Sequence, residues 1–153
     1  MFVALGADHA GFELKEALKR TLDAQGVAWR DFGTSSADSV DYPDFAAPVA
    51  EAVVSGHADR GILVCGSGVG MAIAANKVHG IRAAVIGDAA DAALAREHND
   101  LNVLSLAARR VAPADVESIV AAFLQTPFGG GRHQQRLQKL QQLESHAHDG
   151  GQS

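Results

Sequence analysis

The chain has one cysteine, one tryptophan and one tyrosine among 153 residues. A single cysteine cannot close an internal disulfide, so no covalent staple holds the fold, and a reducing cytoplasm suits it. No apolar run approaches the roughly 18–20 residues that a membrane-spanning helix requires. Met1-Phe2-Val3-Ala4-Leu5 leads straight into charged, structured-looking sequence, with no basic leader ahead of it. Positive charge is also scarce. Thirteen Lys and Arg face eighteen Asp and Glu, a formal charge of −5, which argues against a nucleic-acid surface. With 47% apolar residues, the chain can bury one core of its own.

What is present is alternation. Short apolar runs at 2–5, 27–32, 62–64, 82–86 and 103–106 predict five strands. Leu14, Leu18 and Leu22, with Ala17 between, predict an amphipathic helix ended by Gly26, its other face carrying Lys15, Glu16, Lys19 and Arg20. Residues 33–43 read as a polar loop, and 44–55 and 88–97 as helices. Pro113 opens another helix with Val116, Ile119, Val120 and Phe123 on one face. This β–α order predicts an α/β, single-domain, three-layer Rossmann-like fold. Its core is a five-stranded parallel sheet with helices on both faces and right-handed crossovers. After Gly129-Gly130-Gly131, a helix over 132–144 offers only a narrow stripe of Leu137, Leu140 and Leu143, so it is expected to lean on a partner subunit. The domain is then 1–144, and the small, polar residues 145–153 read as a disordered tail.

The densest signal is Gly61-Ile62-Leu63-Val64-Cys65-Gly66-Ser67-Gly68-Val69-Gly70. A predicted strand stops at the only cysteine, three glycines follow at alternate positions, and helix-like sequence resumes at Met71. Such a turn aims several backbone N–H groups at one spot, where the positive end of the helix dipole adds to them. It suits an oxyanion or a phosphate, and a thiol at its lip suits a base or nucleophile. Ligands of open parallel sheets bind beyond the carboxyl ends of the strands. Asp8 and His9 follow the first strand, Cys65 the third and Arg109 the fifth. Arg132 and Arg136 share a helix face and can grip one dianion. Taken singly, the cysteine reads as a small hydrophobe, Asp8 as a cap and the arginines as a solvated face. Together they suit a phosphorylated small molecule. His98 and Asn99 precede the fifth strand, at the opposite edge of the sheet, so service at the same site requires a neighbouring subunit.

Eight segments in order closely resemble the ribose-5-phosphate isomerase B family, which includes galactose- and allose-6-phosphate isomerases. They are Gly6-Ala7-Asp8-His9-Ala10-Gly11, Asp41-Tyr42-Pro43-Asp44, Cys65-Gly66-Ser67-Gly68-Val69-Gly70, Ala74-Ala75-Asn76-Lys77, Gly80-Ile81-Arg82-Ala83, His98-Asn99-Asp100, Asn102-Val103-Leu104 and Gly130-Gly131-Arg132-His133-Gln134-Gln135-Arg136. The resemblance implies isomerisation of an aldose phosphate to a ketose phosphate through a cis-enediolate, without metal or cofactor. It implies a homodimer or tetramer with active sites between subunits.

By resemblance, Cys65 is the base between C1 and C2, the backbone N–H groups of Ser67, Gly68, Val69 and Gly70 hold the enediolate, and Gly66 is a substrate-binding position. The Ser67 hydroxyl passes protons between its oxygens. His98 opens the sugar ring with help from Asp8, Asn99 contacts a hydroxyl or the enediolate, and Tyr42 walls the site. His9, Arg109, Arg132 and Arg136 match phosphate-binding positions. Some relatives carry serine at position 65 and glutamate at 71; Met71 cannot take a proton, which places this chain with the cysteine-dependent members. Ribose 5-phosphate is the default substrate, with a hexose or tetrose phosphate left open. The rivals fit less well. A cysteine phosphatase needs arginine where Met71 stands, and a dinucleotide fingerprint follows the first strand with wider glycine spacing. A non-catalytic nucleotide-binding module would need neither the thiol nor His98.

Overall fold

The computed structural model describes residues 1–149. Strands β1 (Phe2–Ala7), β2 (Ala28–Asp31), β3 (Arg60–Cys65), β4 (Ala83–Val85) and β5 (Val103–Ala107) form one parallel sheet in the order β2-β1-β3-β5-β4. Among the described residues six α-helices accompany them: α1 (Phe12–Ala24), α2 (Pro43–Val54), α3 (Val69–Ala75), α4 (Ala89–Asn99), α5 (Pro113–Gln125) and α6 (Arg132–Asp149). This is the α/β architecture that the alternation of the sequence predicts.

Period-two alternation sorts the strand side chains into two cores. Val3, Leu5, Ile62, Val64, Leu104 and Leu106 point to the face covered by Leu18 and Leu22 of α1, Ala92 of α4 and Phe123 of α5. Ala4, Leu63, Cys65 and Val103 point to the other face, under Val49 of α2 and Met71 of α3. Strands buried on both faces are what a parallel sheet demands.

The strand order fixes where a ligand can enter. β1 and β3 lie side by side, with Ala7 opposite Val64. The chain leaves β1 towards β2 on one side and leaves β3 towards β4 and β5 on the other. Diverging connections open a crevice beyond the carboxyl ends of β1 and β3.

Lys15 departs from the sequence pattern. Read as part of the solvated face of α1, it is 1% exposed. Its ammonium pairs with Asp31 at the end of β2 and, at 2.9 Å, with Glu16; Lys19 reaches the same two carboxylates at 2.7 and 2.6 Å. Asp31 also accepts the Gly33 N–H at 2.8 Å, which fixes the start of the 33–42 loop. Burial pushes the Asp31 carboxyl up, but its bonds to Lys15, Lys19 and the Gly33 N–H outweigh this and hold it below the usual value of 3.8.

At the other end of the sheet, β4 has no strand beyond it. Asn76, which caps α3, takes that place. Its side chain accepts the Ala83 N–H at 2.8 Å and donates to the Ala83 carbonyl at 2.9 Å. The helix expected over 132–144 runs on to Asp149, so the first five residues of the expected tail are helical; 150–153 lie outside the described residues. Within the chain α6 packs on α4, and Glu144 accepts the Gly80 N–H at 3.2 Å. Leu140 and Leu143 stay exposed. No helix among the described residues is long and apolar enough to cross a membrane.

Candidate active site

The crevice holds an open cleft of about 210 Å³ lined by Asp8, His9, Tyr42, Cys65, Gly66, Ser67, Gly70 and Arg109, with Ala10. The carboxylate of Asp8 caps the short turn after β1, accepting the Gly11 N–H at 3.1 Å, and also faces the cleft. The same carboxylate therefore serves both the turn and the cleft wall. The next residue, His9, receives the Val40 N–H on Nδ1 at 3.1 Å. An Nδ1 that accepts leaves the proton on Nε2, so the ring keeps one N–H donor for a ligand.

Cys65 ends β3 and is 5% exposed. Its Sγ accepts the N–H of Gly68 at 3.1 Å. Gly68 makes this possible with φ +75°, a left-handed conformation that an L side chain rarely adopts. Both the backbone N–H groups of the turn and the helix dipole are expected here from the sequence. Since α3 has only seven residues, the individual N–H groups of its first turn carry more of the effect than the summed dipole. Ser67 is exposed, and its Oγ accepts the Val69 N–H at 3.3 Å.

Two side chains wall the cleft. The Arg109 guanidinium lies so close over Gly66 that a Cβ there would come within 2.9 Å of its Cζ, and the Arg109 backbone N–H donates to the Gly66 carbonyl at 3.1 Å. The Tyr42 ring covers Gly70 equally closely, at 2.9 Å from a would-be Cβ. Asp8, His9, Tyr42, Cys65, Ser67 and Arg109 thus meet as the sequence predicts, with Gly68 and Val69 in the loop behind them.

The remaining four do not line this cleft. His98 and Asn99 close α4, and Arg132 and Arg136 occupy the first turns of α6, beside the amino-terminal edge of the sheet. There they form a cluster of their own. The rings of His98 and His133 stack at 4.4 Å with 13° between their planes. The loop before α6 is fastened to α4 by the Gly129 N–H, which donates to the Glu97 carbonyl at 2.9 Å. Partial desolvation, with repulsion from His98, Arg132 and Arg136, holds His133 below its ordinary value against the opposing pull of Glu97.

His133 is the member of this cluster to which sequence reasoning gave no role. Its place beside Arg132 was the only signal, because its stacking partner lies in another helix. The last turn of α4 is in turn held by Asp100. This residue sits at φ +46° and is bonded through its carboxylate to Arg96 at 2.8 Å and Arg82 at 3.2 Å.

The sequence profile of the ribose/galactose isomerase family matches residues 3–140. Ribose-5-phosphate isomerase B of Escherichia coli is 46% identical over 142 residues, 93% of this chain and 95% of that protein. Among solved structures, ribose-5-phosphate isomerase B of Clostridium thermocellum superposes with a TM-score of 0.94 at 47% identity, covering 96% of this chain and 99% of that one. The Mycoplasma genitalium ribose-5-phosphate isomerase B, solved with bound ribulose 5-phosphate, gives a TM-score of 0.89 at 40% identity, covering 94% and 96%.

Proposed function

The chain belongs to the ribose/galactose isomerase family of sugar-phosphate isomerases, and from that premise we propose that it interconverts ribose 5-phosphate and ribulose 5-phosphate through a cis-enediolate. The observation that carries this reading is the Cys65 Sγ, bonded to a backbone N–H in a cleft that also holds a guanidinium and an imidazole N–H donor. The likeness to a relative solved with ribulose 5-phosphate supports the choice of a pentose phosphate.

Pentose phosphates rest mainly as closed rings, so an acid and a base act first. His98 protonates the ring oxygen while Asp8 takes the proton of the anomeric hydroxyl, which frees the aldehyde. Cys65 then removes the C2 proton as thiolate, and the electron pair moves onto O1. Backbone N–H groups at Ser67, Val69 and Gly70 donate to the developing oxyanion, where fixed donors contribute most. The Ser67 hydroxyl passes a proton from O2 to O1, and the Cys65 thiol returns its proton to C1 to give the ketose. Asn99 holds a sugar hydroxyl. His9 and Arg109 take the phosphate, completed by Arg132 and Arg136.

This chemistry needs both clusters at one substrate, yet they lie at opposite edges of one sheet. A second copy of the chain brings them together, with His98, Asn99, Arg132 and Arg136 entering the neighbour's cleft as a unit. The exposed apolar side chains Val69 and Ile73 of α3, Val85 of β4, and Leu140 and Leu143 of α6 support such an association. The Cys65 loop runs directly into that surface.

Proton NMR in D2O with EDTA present tests the reading. Ribose 5-phosphate is expected to yield ribulose 5-phosphate, with deuterium entering C2 of the remaining aldose. Neither ketose nor exchange would remove the pentose assignment and send the search to hexose and tetrose phosphates.

A further inference from the structure

β5 is apolar and buried along its whole length, except that its middle residue is a serine. Ser105 is 0% exposed, and its Oγ donates to the carbonyl of Gly68 at 2.7 Å. A buried hydroxyl without an acceptor is costly, so this hydrogen bond is what permits a serine there. The carbonyl does not depend on it in the same way, since it also accepts the Ala72 N–H at 3.1 Å. The serine bond therefore adds direction to a group already partnered along the helix.

Direction matters at this peptide. The Gly68 N–H is the donor to Cys65 Sγ, and Gly68 holds the left-handed conformation that starts α3. A trans peptide points its C=O and the following N–H opposite ways. With the Gly68 carbonyl drawn towards β5, the Val69 N–H is turned away from the sheet, to the side where Ser67 Oγ accepts it at 3.3 Å. Ser67 lines the cleft. The loop also rests directly on the sheet: a Cβ at Gly68 would lie 3.0 Å from Val85 Cγ1 and 3.2 Å from the Leu106 carbonyl carbon. One hydroxyl beneath the loop thus holds the Gly68–Val69 peptide, next along the chain from the Ser67–Gly68 peptide whose N–H meets the thiol.

We propose that Ser105 is a positioning residue for the isomerisation: from inside the sheet its hydroxyl fixes the Gly68–Val69 peptide, and through it the N–H donors around Cys65. The inference rests on the function proposed above for its catalytic meaning, and on geometry alone for its hold on the loop. Ser105 touches no substrate, so its effect appears in how well the loop meets the transition state rather than in how tightly sugar phosphate binds.

The test compares the intact wild type with Ser105→Ala and Ser105→Thr, the latter keeping the hydroxyl. Amide hydrogen exchange followed by mass spectrometry reads the loop, and steady-state kinetics read the chemistry. In Ser105→Ala, exchange of the peptide spanning 66–72 rises about tenfold while the slow amides of β1 and β3 keep their rates. Its kcat falls roughly three- to tenfold with KM within about twofold, and Ser105→Thr recovers most of both. A loop that exchanges as in wild type overturns the proposal. So does a loosened loop with unchanged kcat in an active enzyme. Should Ser105→Thr fail to fold, Ser105→Ala with its internal reference strands still decides. A wild type without isomerase activity sinks the function reading and leaves this one to the exchange data.

Discussion

Two inactive variants should make one active enzyme. Cys65→Ala removes the proposed base and His98→Gln the proposed ring-opening acid, each lowering turnover by roughly two to four orders of magnitude. Within one chain the two residues sit at opposite ends of a six-residue strand layer, roughly 20 Å at 3.3 Å per residue, well beyond side-chain reach. If the site forms between copies related by a two-fold axis, a hybrid of the two variants has two composite sites. One carries both lesions. The other combines an intact Cys65 from the His98→Gln chain with an intact His98 from the Cys65→Ala chain. Co-expression with two different affinity tags, followed by tandem purification, isolates that hybrid. Its rate on ribose 5-phosphate should reach about half the wild-type value per dimer, at least fiftyfold above either parent. A hybrid no faster than its parents would refute the intersubunit site, because sites built within one chain would each keep one lesion.

Three further outcomes follow from particular contacts. Lys15→Met takes the buried cation from Asp31 and should cost about 3 kcal/mol, the low end for breaking such a pair because Lys19 still reaches the carboxylate. The folded-state value of Asp31 is depressed, so its stabilising effect is present above the unfolded value and lost as pH falls through the folded one. Urea midpoints of the wild type should therefore decline below about pH 4, and more shallowly in Lys15→Met; parallel declines contradict the account. Gly11→Ala would put a Cβ 2.3 Å from the Val64 carbonyl oxygen. It should cost about 3 kcal/mol, a drop of roughly 10 °C in melting temperature for a chain of this size, and an unchanged melting curve would count against the packing described. Finally, desolvation and then repulsion from His98, Arg132 and Arg136 depress His133; if Arg132 and Arg136 take phosphate, part of that repulsion is offset, and its NMR titration midpoint should rise on adding inorganic phosphate. No movement would argue against an anion site there.

The elements legible in the sequence are those that local pattern determines. Apolar runs such as 62–64 announced their strand, and the alternate glycines after Cys65 announced a turn with N–H groups to offer. What stayed hidden depends on partners far along the chain. Periodicity put Lys15 on the wet side of α1, and only Asp31, sixteen residues on, makes its burial tolerable. Ser105 looks like a weak point in a strand until Gly68, thirty-seven residues earlier, supplies its acceptor. His133 gains its setting from His98 in a separate helix. The four-residue spacing of Arg132 and Arg136 was visible, but not that they stand with His98 at the far edge from the thiol.

The Asn76 side chain that closes the outer edge of β4 also limits how this protein can assemble. An open strand edge invites another chain to extend the sheet, and association of that kind has no natural stopping point. Here both the donor and the acceptor that Ala83 would offer are already taken by an amide from the same chain. A copy approaching β4 at Ala83 therefore finds no free main-chain pair there and meets side chains instead. For the site proposed between copies, which needs its two halves in register, a strand end already occupied favours contact through side chains over extension of the sheet at that point.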